Sequence, residues 1–303
     1  MTTVDIAALA PPAPGVATLD VAVPEMVAPA PARRRRRIRP GWLLSLAFLA
    51  ALVVAALAPG WLVAHDPLAI SDQGAFLPPG GDHLLGTDQS GRDVLSRMVH
   101  GARASLVMGL GATAIGVVFG AALGLLAGLA NRYVEGALMR LVDIALSVPD
   151  LLLALVVIAL LGTGTVNTLF AVGFATIPYY ARMVRAQTHV IRRSTYVEAA
   201  ATLGLRRATV IRRHVLPNAL KPLLVLATIG VGNAIGAGAS LSFLGLGSKP
   251  PAPEWGNMLS LGVQYISNDP LMVLIPGLAI TLTVLAVTVV GRDLKRRSEG
   301  RVA

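Results

Sequence analysis

Cysteine is absent from the 303 residues, which excludes disulfides and thiolate metal sites but leaves the redox compartment open. Charge is scarce as well: 14% of the residues are Asp, Glu, Lys or Arg, against 54% hydrophobic, and the mean hydropathy is +0.68. That balance rules out a soluble globular domain and points to an all-α membrane protein with several spans. The apolar runs are continuous rather than alternating, which argues against a transmembrane β-barrel. Acidic residues are outnumbered 16 to 26, for a net charge of +10. Arginines that hold cytoplasmic loops in place account for this excess without a nucleic-acid partner.

Catalytic patterns are missing too. There is no HExxH, no GxSxG, and no glycine-rich loop ending in Gly-Lys-Ser/Thr, so the chain does not cradle nucleotide phosphates itself. The histidines (His65, His83, His100, His189 and His214) fall in loops or at the ends of apolar runs. Ion-coupled transporters keep ionisable groups at mid-depth, and here only Asp143 and Asp150 come close. A proton or sodium relay is therefore poorly supported. If solute crosses this protein, the energy is expected from another chain.

Taken in order, residues 1–32 are rich in Ala, Pro, Val and Thr without a structural period and are read as a disordered tail. With the arginines 33–37 they form a cytoplasmic segment, 1–40. Gly41–Ala64 is uncharged and long enough for a first span, 41–64, with a signal peptide as the competing reading. Residues 65–103 form an external loop whose aspartates, near His83, match no metal-ligand spacing and are expected to be solvated. A permease domain, 104–291, follows. In its first apolar run Gly116, Gly120, Gly124 and Gly128 repeat every fourth residue, the spacing that lets membrane helices approach closely; Gly232 and Gly236 repeat it further on. From Leu141 to Ala181, two spans joined by a turn at 162–165 keep the later arginines cytoplasmic, whereas one span does not. Pro178 can kink the second of them. Trp255, in a short external segment, suits the headgroup level. Six spans with both termini cytoplasmic, the last ending at Gly291 before a basic tail 292–303, satisfy every charge cluster.

The segment 190–217 is polar and rich in arginine, yet helical in pattern. Thr195 and Glu198 have capping-box spacing, and Tyr196, Ala199, Ala200 and Leu203 fall on one face. Gly204 stands where a C′ glycine would, and Pro217 is expected to end the second helix. A polar helix–turn–helix inside a membrane protein presents a surface to something soluble.

Glu198-Ala199-Ala200, Gly204, Ile211 and Leu216-Pro217, with Arg213-His214 and Asn218 around them, resemble the EAA–G–I–LP loop of ATP-binding-cassette importer permeases. His83–Gly109 (HLLGTDQSGRDVLSRMVHGARASLVMG), Ser242–Gly247 and Pro253–Gly256 resemble the second, C-type permease subunit of dipeptide, oligopeptide and nickel importers. The likeness runs from about residue 40 to 293, and the tail after Gly291 is shorter than the family leads one to expect. The resemblance implies a type I importer permease fold, a second permease subunit, two cytoplasmic ATPase subunits that bind ATP and Mg, and an external solute-binding protein. It implies no cofactor in this chain. It also implies that the loop docks on an ATPase, with Glu198 meeting a basic residue, Ala199 and Ala200 allowing close approach, and Gly204 making the turn. The solute stays open among dipeptides, oligopeptides, glutathione and nickel. An ion-coupled secondary transporter is the alternative of a different class.

Overall fold

The computed structural model describes residues 40–298; the expected N-terminal tail and its arginines lie outside them. Among the described residues the chain is helical, with no strand longer than an isolated bridge. Its first helix, α1 (Pro40–Leu57), stops seven residues short of the expected end of the first span, Ala64. Pro59 explains the stop: its ring disfavours α conformation at Ala58 and removes a donor, and the chain continues as a single 3-10 turn over Pro59–Trp61. The 18 residues of α1 still extend about 27 Å, close to the thickness of a hydrocarbon core.

The second helix, α2 (Val94–Leu129), begins ten residues earlier than the apolar run at Ala104. Of the charges that make residues 94–103 read as loop, Arg97 is neutralised by the preceding loop, while Arg103 is exposed. Asp93 caps the helix by accepting from Ser96 N at 2.6 Å, and its other oxygen lies 2.9 Å from His83 Nδ1. Arg97, fully buried, reaches Asp88 at 3.3 Å and donates to the carbonyls of Pro67 and Pro251. Asp88 and Asp93 are therefore buried partners, not the solvated loop residues expected.

Two helices then meet at a sharp corner: α3 (Arg132–Leu146) and α4 (Asp150–Leu161) are bent by 94° at Ser147–Pro149. The first of the two spans expected between Leu141 and Ala181 is thus a broken pair, because Pro149 cannot continue α3. After α4 the chain turns at Gly162 and Gly164, whose φ of 88° and 134° only glycine adopts freely. Asn167 Nδ2 donates to the carbonyls of Leu161 and Gly162 and closes the turn. Next comes α5 (Thr165–Arg192), which contains the buried Pro178 and runs parallel to α2 through the middle of the bundle.

The glycine repeat is what joins them. Gly116 faces Thr176 and Tyr180, Gly120 faces Tyr180 and Ile177, Gly124 faces Ala181 and Val184, and Gly128 faces Thr188. Each four-residue step on α2 is matched by one on α5, so the two backbones approach along four turns in register. Gly232 packs more loosely, with Val284 O 3.4 Å from where a Cβ would stand, and Gly236 meets nothing within 4 Å. Gly236 therefore takes no part in helix packing within the described residues of this chain.

Beyond two short helices described below, α8 (Leu216–Phe243), α9 (Trp255–Gln264) and α10 (Leu271–Ser298) complete the bundle. The last extends into the segment expected to be a separate tail, as far as Ser298. Trp255 does not face lipid headgroups: it is fully buried, donates its indole N–H to Met98 O at 2.9 Å and lies over Gly101. Beside it Glu254 caps α9 by accepting from Gly256 N and Asn257 N, both at 2.9 Å. By length and composition four helical stretches suit a membrane span (α1, α2, Arg207–Phe243 and α10), and the bent α3–α4 pair makes a fifth if it counts as one.

Candidate functional site: the α6–α7 hairpin

At the end of α5 the chain forms α6 (Thr195–Thr202) and α7 (Arg207–Val210). The expected capping box does not form. Ser194, one residue earlier than Thr195, holds the N-cap position, and its hydroxyl is spent on Ile191 O at 2.6 Å. Glu198 then falls one residue past the N3 position from which a carboxylate reaches back, and its side chain is exposed. The turn does form as its glycine suggests. Gly204 has φ 81°, Gly204 N donates to Ala201 O at 3.0 Å, and Leu205 N donates to Ala200 O at 3.3 Å, which together make a Schellman motif.

The hairpin has a small core of its own. Val197, Ala200, Val210 and Val215 are buried together, with Leu129 from the end of α2 and Ile191 from α5 against them. Of the expected apolar face, only Ala200 belongs to it. Tyr196, Ala199 and Leu203 lie on the opposite, open side, where Leu203 is 81% exposed. Leu205 and Glu198 share that exposure. The result is an outward surface of tyrosine, leucine and alanine carrying one carboxylate, set on a rigid base.

Arginines fasten the base. Arg192 donates to Gly128 O at 2.6 Å and Arg207 to Leu129 O at 3.2 Å, so both cover carbonyls at the C-terminus of α2 where the helix dipole favours cations. On the neighbouring side Glu135 of α3 accepts from Arg185 Nε at 2.6 Å and lies 2.7 Å from His189 Nε2, and Asp143 pairs with Arg182. Arg193, Arg206, Arg212 and Arg213 remain exposed around the hairpin.

Pro217 does not end the second helix. A π turn, Ile211–Val215, follows α7 directly, Leu216 N donates to Ile211 O, and Pro217 sits in the first turn of α8. The wider turn takes up the missing proline N–H and the room its ring needs, so helix is continuous from Arg207 to Phe243. Ile211 and Leu216 are half-buried on this stretch, and Pro217 is exposed. Whatever touches the hairpin therefore acts on a helix that crosses the whole bundle. Among the described residues no group of three or more His, Asp or Glu could hold a metal ion.

Such a bundle is found in the membrane subunits of ATP-binding-cassette importers. Its shape matches an inward-facing methionine ABC transporter with a TM-score of 0.54 at 22% identity, over 66% of this chain and 95% of the other. An amino acid ABC transporter gives 0.53 at 18% identity, over 66% and 94%. The chain belongs to the family of binding-protein-dependent transport system inner membrane components, whose model matches residues 120–302. Among its relatives, a dipeptide transport system permease protein of Alkalihalophilus pseudofirmus is 41% identical over 72% of this chain and 71% of the relative. A di/tripeptide transport system permease protein of Pseudomonas aeruginosa is 41% identical over 84% and 86%. A glutathione transport system permease protein of Pectobacterium atrosepticum is 40% identical over 72% of each. The protein is thus a permease subunit of a bacterial inner-membrane ABC importer and not itself an enzyme; ATP hydrolysis belongs to a separate chain.

Proposed function

We propose that this chain forms the solute pathway of an ATP-driven importer of di- or oligopeptides together with a second, non-identical permease subunit. Two cytoplasmic ATPase subunits hold the ATP and Mg and drive it, and an external binding protein delivers solute. The relatives' names favour peptides, including the γ-linked tripeptide glutathione. Six crossings, with α5 as the one whose composition is least apolar, keep both termini and the hairpin on the cytoplasmic side.

The hairpin is the coupling element of this reading. One observation carries it: Tyr196, Glu198, Ala199, Leu203 and Leu205 face outward from a hairpin that buries its own core and needs no cover for stability. Gly204 keeps the turn low, Ala200 holds the hairpin's inner side, Ile211 and Leu216 lie half-buried on the helix that follows, and Pro217 with its π turn joins it to α8. Glu198 meets a cation of the ATPase. The test is Glu198→Arg, with Gly204→Val as a second variant, in the assembled transporter reconstituted with its binding protein. Glu198→Arg is expected to lower solute-stimulated ATP hydrolysis by about tenfold or more while the complex still assembles, the scale of one reversed charge pair at an interface, and Gly204→Val, which strains the turn at φ 81°, to lower it as well. Wild-type stimulation in both variants defeats the coupling role.

A further inference from the structure

Asn233 is anomalous. It lies on α8 ten residues before the helix ends at Phe243, hence about 15 Å from that end, half the thickness of a hydrocarbon core. Its side chain is exposed, and no hydrogen bond engages the carboxamide among the described residues. The exposure is fixed by its neighbours. Gly232 faces Val284 and Thr288 of α10, Ile235 fills the space over Gly109 of α2, and Ala234 is buried with Ala112, Ala154 and Ala171. Three sides of α8 are thus clamped at this level, and the fourth presents Asn233.

A carboxamide left in lipid is unfavourable, because the bilayer offers neither donor nor acceptor. Asn233 therefore faces water or another polar group. The surface beside it is open: a Cβ at Gly236 would meet nothing within 4 Å, and Ser240, one turn further, already donates to Gly236 O at 2.9 Å. What remains unsatisfied is one amide with a donor and an acceptor side by side, the complement of a peptide bond. We infer that Asn233 lines the solute pathway and that its carboxamide exchanges hydrogen bonds with the backbone amides of a passing peptide. The second half of this inference rests on the peptide reading above, whereas the first half does not.

The absence of cysteine makes the test direct, since an engineered thiol is the only one in this chain. Asn233→Cys, and Leu285→Cys on the exposed apolar face of α10 as a control, are placed in the assembled transporter. A cationic, membrane-impermeant methanethiosulfonate is added with and without ATP, and the mass of this chain is read. Modification of Asn233→Cys but not Leu285→Cys is expected. No modification under either condition, as when a partner helix covers the site, or equal modification of both, overturns the pathway assignment. Alanyl-alanine presented with the binding protein is expected to slow modification of Asn233→Cys, and no protection while the dipeptide is transported overturns the amide contact. In the otherwise unlabelled transporter, Asn233→Leu is expected to lower dipeptide kcat/KM about tenfold, the loss of one uncharged hydrogen bond, and Asn233→Gln to restore part of it. Failure of the wild type to move dipeptides defeats the peptide reading and the amide contact with it, while the labelling result still decides whether Asn233 faces water.

Discussion

The α2–α5 seam makes a graded prediction, because its glycines differ in what an added methyl would strike. At Gly124 a Cβ would stand 2.9 Å from Val184 Cβ and 3.0 Å from Arg185 N, and nearer still to Ala181 O. At Gly120 it would stand 2.6 Å from Tyr180 Cβ and 2.9 Å from Ile177 O. Backbone atoms and Cβ atoms cannot rotate away, so α2 and α5 must separate. At Gly128 the obstacle is the buried Thr188, whose Cβ and Cγ2 would both stand at 2.8 Å, and at Gly116 it is the hydroxyl of Thr176, which can move only by turning χ1 and giving up its bond to Gly173 O. Against this, Gly→Ala in a helix gains up to about 1 kcal/mol of propensity. Overpacking costs about 1–3 kcal/mol per site. The sum predicts that Gly120→Ala, Gly124→Ala and Gly128→Ala are each destabilising by about 1–2 kcal/mol, Gly116→Ala by less, Gly232→Ala near zero, and Gly236→Ala neutral or stabilising by up to about 1 kcal/mol. Reversible unfolding of the detergent-solubilised chain with SDS, followed by far-UV circular dichroism, reads this series. Equal effects of Gly124→Ala and Gly236→Ala refute the argument, since they share propensity and differ only in packing.

Two further predictions concern the opposite end of the bundle. Glu254 is buried, which raises its pKa above the usual carboxylate value, while the N–H groups of Gly256 and Asn257 only partly oppose that shift. The folded state then binds the proton more tightly than the unfolded one, so the contribution of this group is greatest at low pH and is lost as pH rises through the folded-state pKa. Glu254→Gln is expected to flatten that part of a stability–pH curve; Glu254→Ala, which leaves two buried N–H groups without acceptors, is expected to cost about 1–3 kcal/mol at every pH. Arg97→Ala strands the buried Asp88 and two carbonyls and is expected to cost about 3–5 kcal/mol, read as lost folded yield, whereas the double variant Arg97→Met with Asp88→Asn recovers part of it.

The class of protein, the turn at Gly162–Gly164 and the turn at Gly204 were legible in the sequence because each depends on local chemistry. Apolar length marks helices that meet lipid, and glycine alone occupies positive φ freely. The α2–α5 seam was half legible: spacing showed that Gly116 to Gly128 share a face, but the partner helix, about 60 residues on, leaves no trace in the period of α2. What the sequence hid depends on long-range pairing. Arg97 made the start of α2 look like loop because nothing local announces that Asp88 and the carbonyls of Pro67 and Pro251 will enclose it. Trp255 looked interfacial because amphipathic aromatics often are, yet Met98 O satisfies its N–H inside the fold. Glu198 had capping-box spacing, and a one-residue shift of the helix start was enough to free its carboxylate for another role. Asn233 was passed over for a different reason. A single uncharged polar residue does not interrupt an apolar run, so hydropathy is blind to it, and only the packing of Gly232, Ala234 and Ile235 shows that it points outward.

The joints between helices also determine how a load on the hairpin would spread. Arg192 and Arg207 bind it to the end of α2, and the interlocked glycine seam prevents α2 from sliding along α5 without lifting over Val184 and Tyr180. Hairpin, α2 and α5 are therefore a single stiff unit. The attachment of α3 is smaller: Met139 and Val142 are buried against Ala127 of α2 and Ala181 of α5, while Asp143–Arg182 is an ion pair exposed on both sides, and such pairs contribute little against water. Glu135 with Arg185 and His189 is better shielded but engages only the first turn of α3. Between α3 and α4 lies the 94° corner at Pro149, where no helical hydrogen bond resists bending. The second compliant point is the π turn, where Pro217 and, five residues on, Pro222 remove two donors from α8. Force applied at Leu203 and Glu198 would thus leave the α2–α5 pair intact and be taken up at the α3–α4 corner and at the root of α8, the helix that carries Asn233.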